Sequence, residues 1–182
     1  MTRRHRSLLT AALAALVLAG CGSDSETSTA GESAATPEPT PTATATPAAP
    51  TGDEQDTSKK PTIAKPTGTP PTKLVQRDLV KGKGRAAKDG DMVTVQYVGV
   101  SFSTGEQFDA SWDRDKEPFP FTLGAGQVIP GWDQGVAGMK VGGRRQLTIP
   151  PDLAYGPNGQ GAIGPNETLI FTIDVTDIQP AA

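Results

Sequence analysis

Among the side chains that do covalent or metal chemistry, this 182-residue chain holds one histidine, His5, and one cysteine, Cys21. Both lie in the first 21 residues, so the part of the chain able to fold has neither. A Ser-His-Asp triad, a Cys nucleophile, a disulfide and a His/Cys metal site are excluded together. Carboxylates remain. Asp113-Arg-Asp115-Lys-Glu117 alternates acids as a calcium loop does, but such a loop needs glycine at its sixth position, where Pro118 stands. Asp109 would make half of a glycosidase pair, yet no second carboxylate presents itself, and an ion pair with arginine is the simpler role. Gly156 to Gly164 is glycine-rich but lacks the Gly-Lys-Ser/Thr ending of a phosphate loop, and reads as a turn-rich flap. All nine aromatics (Tyr97, Phe102, Phe108, Trp112, Phe119, Phe121, Trp132, Tyr155, Phe171) fall after residue 96.

The stretch 127–139 must position Trp132. Pro130 suits the first turn of a helix, and Gly138 suits the residue just past its end. Trp132, Val136 and Met139 recur at helical spacing and form one apolar stripe. So short a helix is marginal alone and must be packed by a sheet. Trp132 is either core or the floor of a site, and composition leaves both open. Leu74 to Val80 predicts a first strand, with Lys81-Gly-Lys-Gly-Arg85 through Gly90 as turn and loop. Val93, Val95 and Tyr97 alternate with Thr94 and Gln96. Phe119, Phe121 and Leu123 alternate likewise, as do Leu147 and Ile149. Leu169, Phe171, Ile173 and Val175 make the last strand, with Thr172, Asp174 and Thr176 expected to face water. Short alternating strands between Gly/Pro turns predict an antiparallel sheet, one face wet and the other on the helix, in an α+β architecture.

Three segments follow. Residues 1–20 have Arg3, Arg4 and Arg6 ahead of a thirteen-residue apolar run, too short to span a bilayer but suited to a signal peptide. The ending Leu18-Ala19-Gly20-Cys21 resembles the bacterial lipobox, which implies cleavage before Cys21 and its lipidation. That would anchor the protein at the outer face of the cell membrane. Residues 21–72 hold nine of the seventeen prolines and no aromatic. With Ile63 as the only large apolar residue, they predict a disordered tether. Residues 73–182 form the domain. Without Arg3, Arg4 and Arg6, fourteen basic residues face twenty acidic ones, and no basic patch suggests nucleic acid.

Val95-Gln-Tyr97-Val-Gly99, Gly105-Glu-Gln-Phe108-Asp109-Ala-Ser111, Phe121-Thr-Leu-Gly124, Val128-Ile-Pro-Gly131-Trp132, Ala154-Tyr155-Gly156 and Ile163 to Phe171 stand in one order. Together they resemble the FKBP-type peptidyl-prolyl cis-trans isomerases over residues 73–179. The resemblance implies a five- or six-stranded antiparallel sheet wrapped around one short helix. It implies a pocket made by Tyr97, Phe108, Asp109, Trp132, Tyr155 and Phe171, with Phe119, Val128, Ile129, Ile163 and Arg114 around it. In that family the tryptophan lies under the proline ring. The tyrosine at Tyr155 and the backbone N–H at Ile129 bond substrate or ligand carbonyls, and the arginine at Arg114 pairs with Asp109. The chain departs from the family at Gln160, Ala162, Gly164 and Gln127, in a shorter loop after Tyr155, and in an extra residue near Glu117.

The implied activity is rotation of X–Pro bonds in exported or surface polypeptides, by a monomer, with no cofactor or metal. Rapamycin and tacrolimus are implied ligands. The alternative is a non-catalytic chaperone or binding module of the same fold.

Overall fold

The computed structural model describes residues 55–181. The signal segment, Cys21 and most of the expected tether lie outside the described residues. Seven elements follow in order: β1 (Val75–Ala86), β2 (Met92–Ser101), β3 (Gln107–Ala110), β4 (Phe119–Thr122), α1 (Pro130–Val136), β5 (Lys140–Ile149) and β6 (Leu169–Gln179). They form a six-stranded antiparallel sheet in the order β1-β5-β6-β2-β3, with β4 also paired to β2. This is the α+β fold that the alternation predicts.

β3 and β4 share one edge of β2. β3 pairs with Val98 to Val100 and β4 with Met92 to Val95, so the residues between them loop out beside Gln96 and Tyr97. The sheet's main core forms where Val93, Val95, Tyr97, Leu147, Ile149, Phe171, Ile173 and Val175 face α1. The helix begins at Pro130 and ends at Val136, and Gly138 follows at φ 78, as the capping residues require. Gly131 and Gly135 sit one turn apart against β5. A Cβ at Gly131 would collide with the Ile149 side chain and one at Gly135 with Leu147. Two absent side chains therefore let α1 lie close on the sheet and carry Trp132 into the core.

Three expectations are corrected. First, β1 does not stop at Val80 but runs on to Ala86, paired with β5 as far as Lys140. Gly82 and Gly84 adopt positive φ and the register shifts between Lys83 and Ala86, so these glycines form a bulge instead of a turn. Second, Thr172 and Asp174 do not face water. Thr172 is 1% exposed and Asp174 2%, while Thr176 alone is exposed. Third, the packed region starts before residue 73. Pro61 is buried, and Ile63 packs on a second cluster of Val98, Val100, Ala110 and Ile170 on the sheet face away from α1. The Lys59 carbonyl accepts from Arg144 Nη2 at 2.8 Å, and Lys60 Nζ sits 2.7 Å from Asp113 Oδ1. One isoleucine suffices because the sheet supplies the apolar partners and the polar ends find charged ones.

Candidate active site

Trp132 is 4% exposed and central. Its indole packs edge-on against Tyr97 (5.1 Å between centroids, 79°), Phe171 (5.2 Å, 90°) and Phe119 (6.2 Å, 82°), with Phe121 tilted at 5.7 Å. Phe108 stands edge-on to Phe171 at 5.5 Å. Edge-to-face pairs set the positive rim of one ring against the negative face of another. Trp132 Nε1 is buried with no hydrogen-bond acceptor among the described residues.

The elements explain the convergence. Tyr97 comes from β2 and Phe171 from β6, paired strands in which Gly99 stands opposite Phe171. A Cβ at Gly99 would lie 2.7 Å from carbons of both Phe108 and Phe171, so this glycine makes room for both rings. Phe119 and Phe121 share one face of β4 and stack at 6.1 Å; Phe121 is buried and Phe119, 36% exposed, forms the outer rim.

One polar group enters this apolar setting. The Tyr97 hydroxyl donates to Asp109 Oδ2 at 2.5 Å and accepts from Arg114 Nη2 at 2.8 Å, while Arg114 Nη1 donates to Asp109 Oδ1 at 2.5 Å. Arg114 also lies over the Tyr97 ring, 5.6 Å from its centroid. The phenol's pKa is raised, first by burial and then by the bond it donates to Asp109, so Tyr97 stays protonated. Tyr155 is half-buried beside the main core. Burial, and then the Asp109 charge, raise its pKa. Its hydroxyl is a donor at physiological pH.

Val128 and Ile129 pack partly buried on the same core, and Ile129 is the N-cap of α1. Its neighbourhood is therefore the helix end where N–H groups lack intrahelical partners. Ile163 is buried in the flap, where Gln160 and Ile163 exchange backbone hydrogen bonds of 2.9 Å. Gly159 holds this turn closed, since a Cβ there would strike the Ile163 carbonyl.

The structure thus gathers Tyr97, Phe108, Asp109, Arg114, Phe119, Trp132 and Phe171 directly, and sets Val128, Ile129, Tyr155 and Ile163 against the same core. Cys21 lies outside the described residues. The sequence reading left out Phe121 as a pocket wall, although its alternation with Phe119 was visible. It also left out Gln96 and Ser111. The Ser111 hydroxyl donates to Gln96 Oε1 at 2.5 Å and accepts from the Tyr97 N–H at 2.8 Å, while Gln96 Nε2 donates to the Lys116 carbonyl at 2.6 Å. This buried relay fixes the loop carrying Arg114. One surface hollow lies beside the β1 bulge and another along the outer side of α1, where it reaches Val128, and neither is lined by an aromatic ring.

The sequence pattern of the FKBP-type peptidyl-prolyl cis-trans isomerases matches residues 83–176. An FK506-binding protein of Streptomyces anulatus is 57% identical over 122 residues, covering 66% of this chain and 98% of that protein. A probable FK506-binding protein of Corynebacterium glutamicum is 51% identical over 118 residues, covering 64% and 97%. Among solved structures, FkpA from Escherichia coli superposes with a TM-score of 0.55 at 39% identity, over 71% of this chain and 57% of that one.

Proposed function

Because this chain belongs to the FKBP-type peptidyl-prolyl cis-trans isomerases, we propose that it turns X–Pro bonds of exported or surface polypeptides within the ring cluster around Trp132. The observation that carries the reading is the convergence of Tyr97, Phe119, Phe121 and Phe171 on one buried indole.

The chemistry follows from the amide. Rotation about the C–N bond crosses about 18–20 kcal/mol because resonance gives it double-bond character. At the top of the barrier carbonyl and nitrogen are decoupled, and the group is less polar than in either planar form. An apolar ring cluster that excludes water holds the twisted amide better than the flat one, which is selective binding of the transition state. An acceleration on the order of 10⁴ needs about 5.5 kcal/mol of such selectivity.

Trp132 would lie under the proline ring, with Phe108, Phe171 and Val128 as walls and Phe119 and Ile163 at the rim. The Tyr155 hydroxyl and the Ile129 N–H would orient substrate carbonyls. Asp109, held by Tyr97 and Arg114, would place one fixed negative charge at the edge. No proton transfer, nucleophile or cofactor enters any step. The same walls would take the macrolides rapamycin and tacrolimus. Lipidation at Cys21, with the following tether, would hold the domain outside the membrane and near newly exported chains.

The test uses the full chain. Exchange of an Ala-Leu-Pro-Phe peptide should speed up on its addition, and tacrolimus should abolish the effect. Tacrolimus binding with no change in exchange rate would make the protein a binding module instead. For the anchor, Cys21→Ala should move the protein from the membrane fraction to the medium; an unchanged distribution would remove that part.

A further inference from the structure

Residues 56–65 precede the stretch matched by the family pattern, yet they are packed across the sheet face away from α1. The contacts run in sequence. The Lys59 carbonyl meets Arg144 Nη2 at 2.8 Å, Lys60 Nζ reaches both Asp113 oxygens at 2.7 and 2.8 Å, and Pro61 is buried. Ile63 and Trp112 each pack on the second cluster, and Lys65 approaches Gly105 so closely that a Cβ there would lie 2.8 Å from the Lys65 Cβ. The 122-residue match with the Streptomyces relative is longer than the 117 residues from 66 to 182, so it takes in part of this strap.

The Lys60 contact lands on the loop that carries Arg114. Asp113 ends the 3-10 turn Ser111–Asp113 and also accepts from Gln107 Nε2 at 2.8 Å, which ties it to β3. Beyond Arg114, Asp115 and Lys116 have φ of 52° and 57°. Two successive non-glycine residues in the left-handed region persist only where the surroundings over-determine them. From inside, the loop is fixed by Gln96 and Ser111. From outside it meets Lys60.

We propose that the strap is a positioning element for the candidate active site, in which Lys60, acting through Asp113, holds loop 111–117 so that Arg114 stays on Asp109 and the Tyr97 hydroxyl. Lys60 touches no pocket residue. Its pair with Asp113 is exposed on both sides, at 38% and 51%, and such a pair contributes little to overall stability. Its effect belongs in the local geometry of the loop.

The inference rests on the proposed isomerase site, so the test has one readout that depends on turnover and one that does not. In the full chain, Lys60→Ala should lower kcat/KM about threefold, on the scale of an exposed ion pair. Lys60→Arg should restore it. Asp113→Ala, which also loses Gln107, should cost at least as much, and Lys60→Ala should add nothing to it. The second readout is the ring resonance of Tyr97 in ¹³C-tyrosine protein. The chain has two tyrosines, so Tyr155→Phe assigns the signal. That resonance should move in Lys60→Ala and return in Lys60→Arg. An unmoved Tyr97 signal overturns the strap's role whatever the activity does. So does equal loss in Lys60→Ala and Lys60→Arg, or additive loss in the double variant. An inactive wild type whose Tyr97 signal still responds to Lys60 would remove the isomerase reading and leave the strap's coupling standing.

Discussion

On one face the sheet packs a tryptophan-bearing helix and leaves a cluster of rings. On the other it buries a small apolar cluster, an ion pair and the underside of the strap. The helix-bearing face is mostly apolar below its rim, and its polar groups stand at the edges: Tyr97–Asp109–Arg114 with Asp109 40% and Arg114 49% exposed, and Arg145 between Asp78 and the carbonyls of Gly135 and Ala137 at the end of α1. The opposite face places a charged pair at its centre. Arg144 Nε lies 2.5 Å and Nη2 2.8 Å from the two Asp174 oxygens, with both side chains almost fully buried. Burial raises the Asp174 pKa, with the guanidinium acting in the opposite direction. The lesson is that apolar burial builds the site, while the buried charge on the far face specifies where the strap lies. Arg144 Nη2 donates to the Lys59 carbonyl of the strap at 2.8 Å.

Three changes would break or sharpen this contrast. The largest effect is expected from Trp132→Ala, which empties the middle of the ring cluster. It should cost about 3–5 kcal/mol in denaturant unfolding and abolish peptide exchange. A stable, active variant would mean that the indole is neither core nor floor. Next comes Asp174→Leu. It should cost on the order of 3 kcal/mol, at the low end for an uncompensated buried charge because the Lys59 carbonyl remains to receive Arg144. Adding Arg144→Met should recover most of that loss, since an apolar pair of similar volume replaces two desolvated charges. If the double variant unfolds as readily as the single one, the pair is a source of stability and the contrast fails.

The smallest effect concerns pH. Asp113 has its pKa lowered, first by Lys60 and then by Gln107. A carboxylate depressed in the fold stabilises above its unfolded value, about 3.8, and loses that contribution as pH falls through its folded value. Melting curves of wild type and Lys60→Ala should therefore differ slightly at neutral pH and converge below pH 3.8. A gap that persists in acid would assign the difference to packing of the lysine stem.

The helix-bearing face was legible before any coordinates, and the reasons are local. Pro130 and Gly138 mark the helix ends, and period-two alternation marks the strands whose inward residues are the pocket walls. Fold class, sheet sense and the ring cluster follow from such short-range rules joined to the family motifs. Thr172 and Asp174 show where those rules stop. Alternation places them on the face opposite Phe171, which is correct, but it cannot say whether that face meets water. The answer depends on Lys59, Lys60 and Ile63, which lie 85 residues from Arg144 in one case and 53 from Asp113 in another.

The sequence alone determined the fold class, the helix that carries Trp132, and the lack of cysteine and histidine after residue 21. Each of these is written in residue type and near-neighbour spacing. Only the tertiary structure decided that Pro61 and Ile63 pack against the domain, which strand bulges instead of turning, and how the loop bearing Arg114 is clamped from both sides. Those outcomes come from contacts between distant segments, in which a single isoleucine or a backbone carbonyl gains its meaning from the surface it lands on.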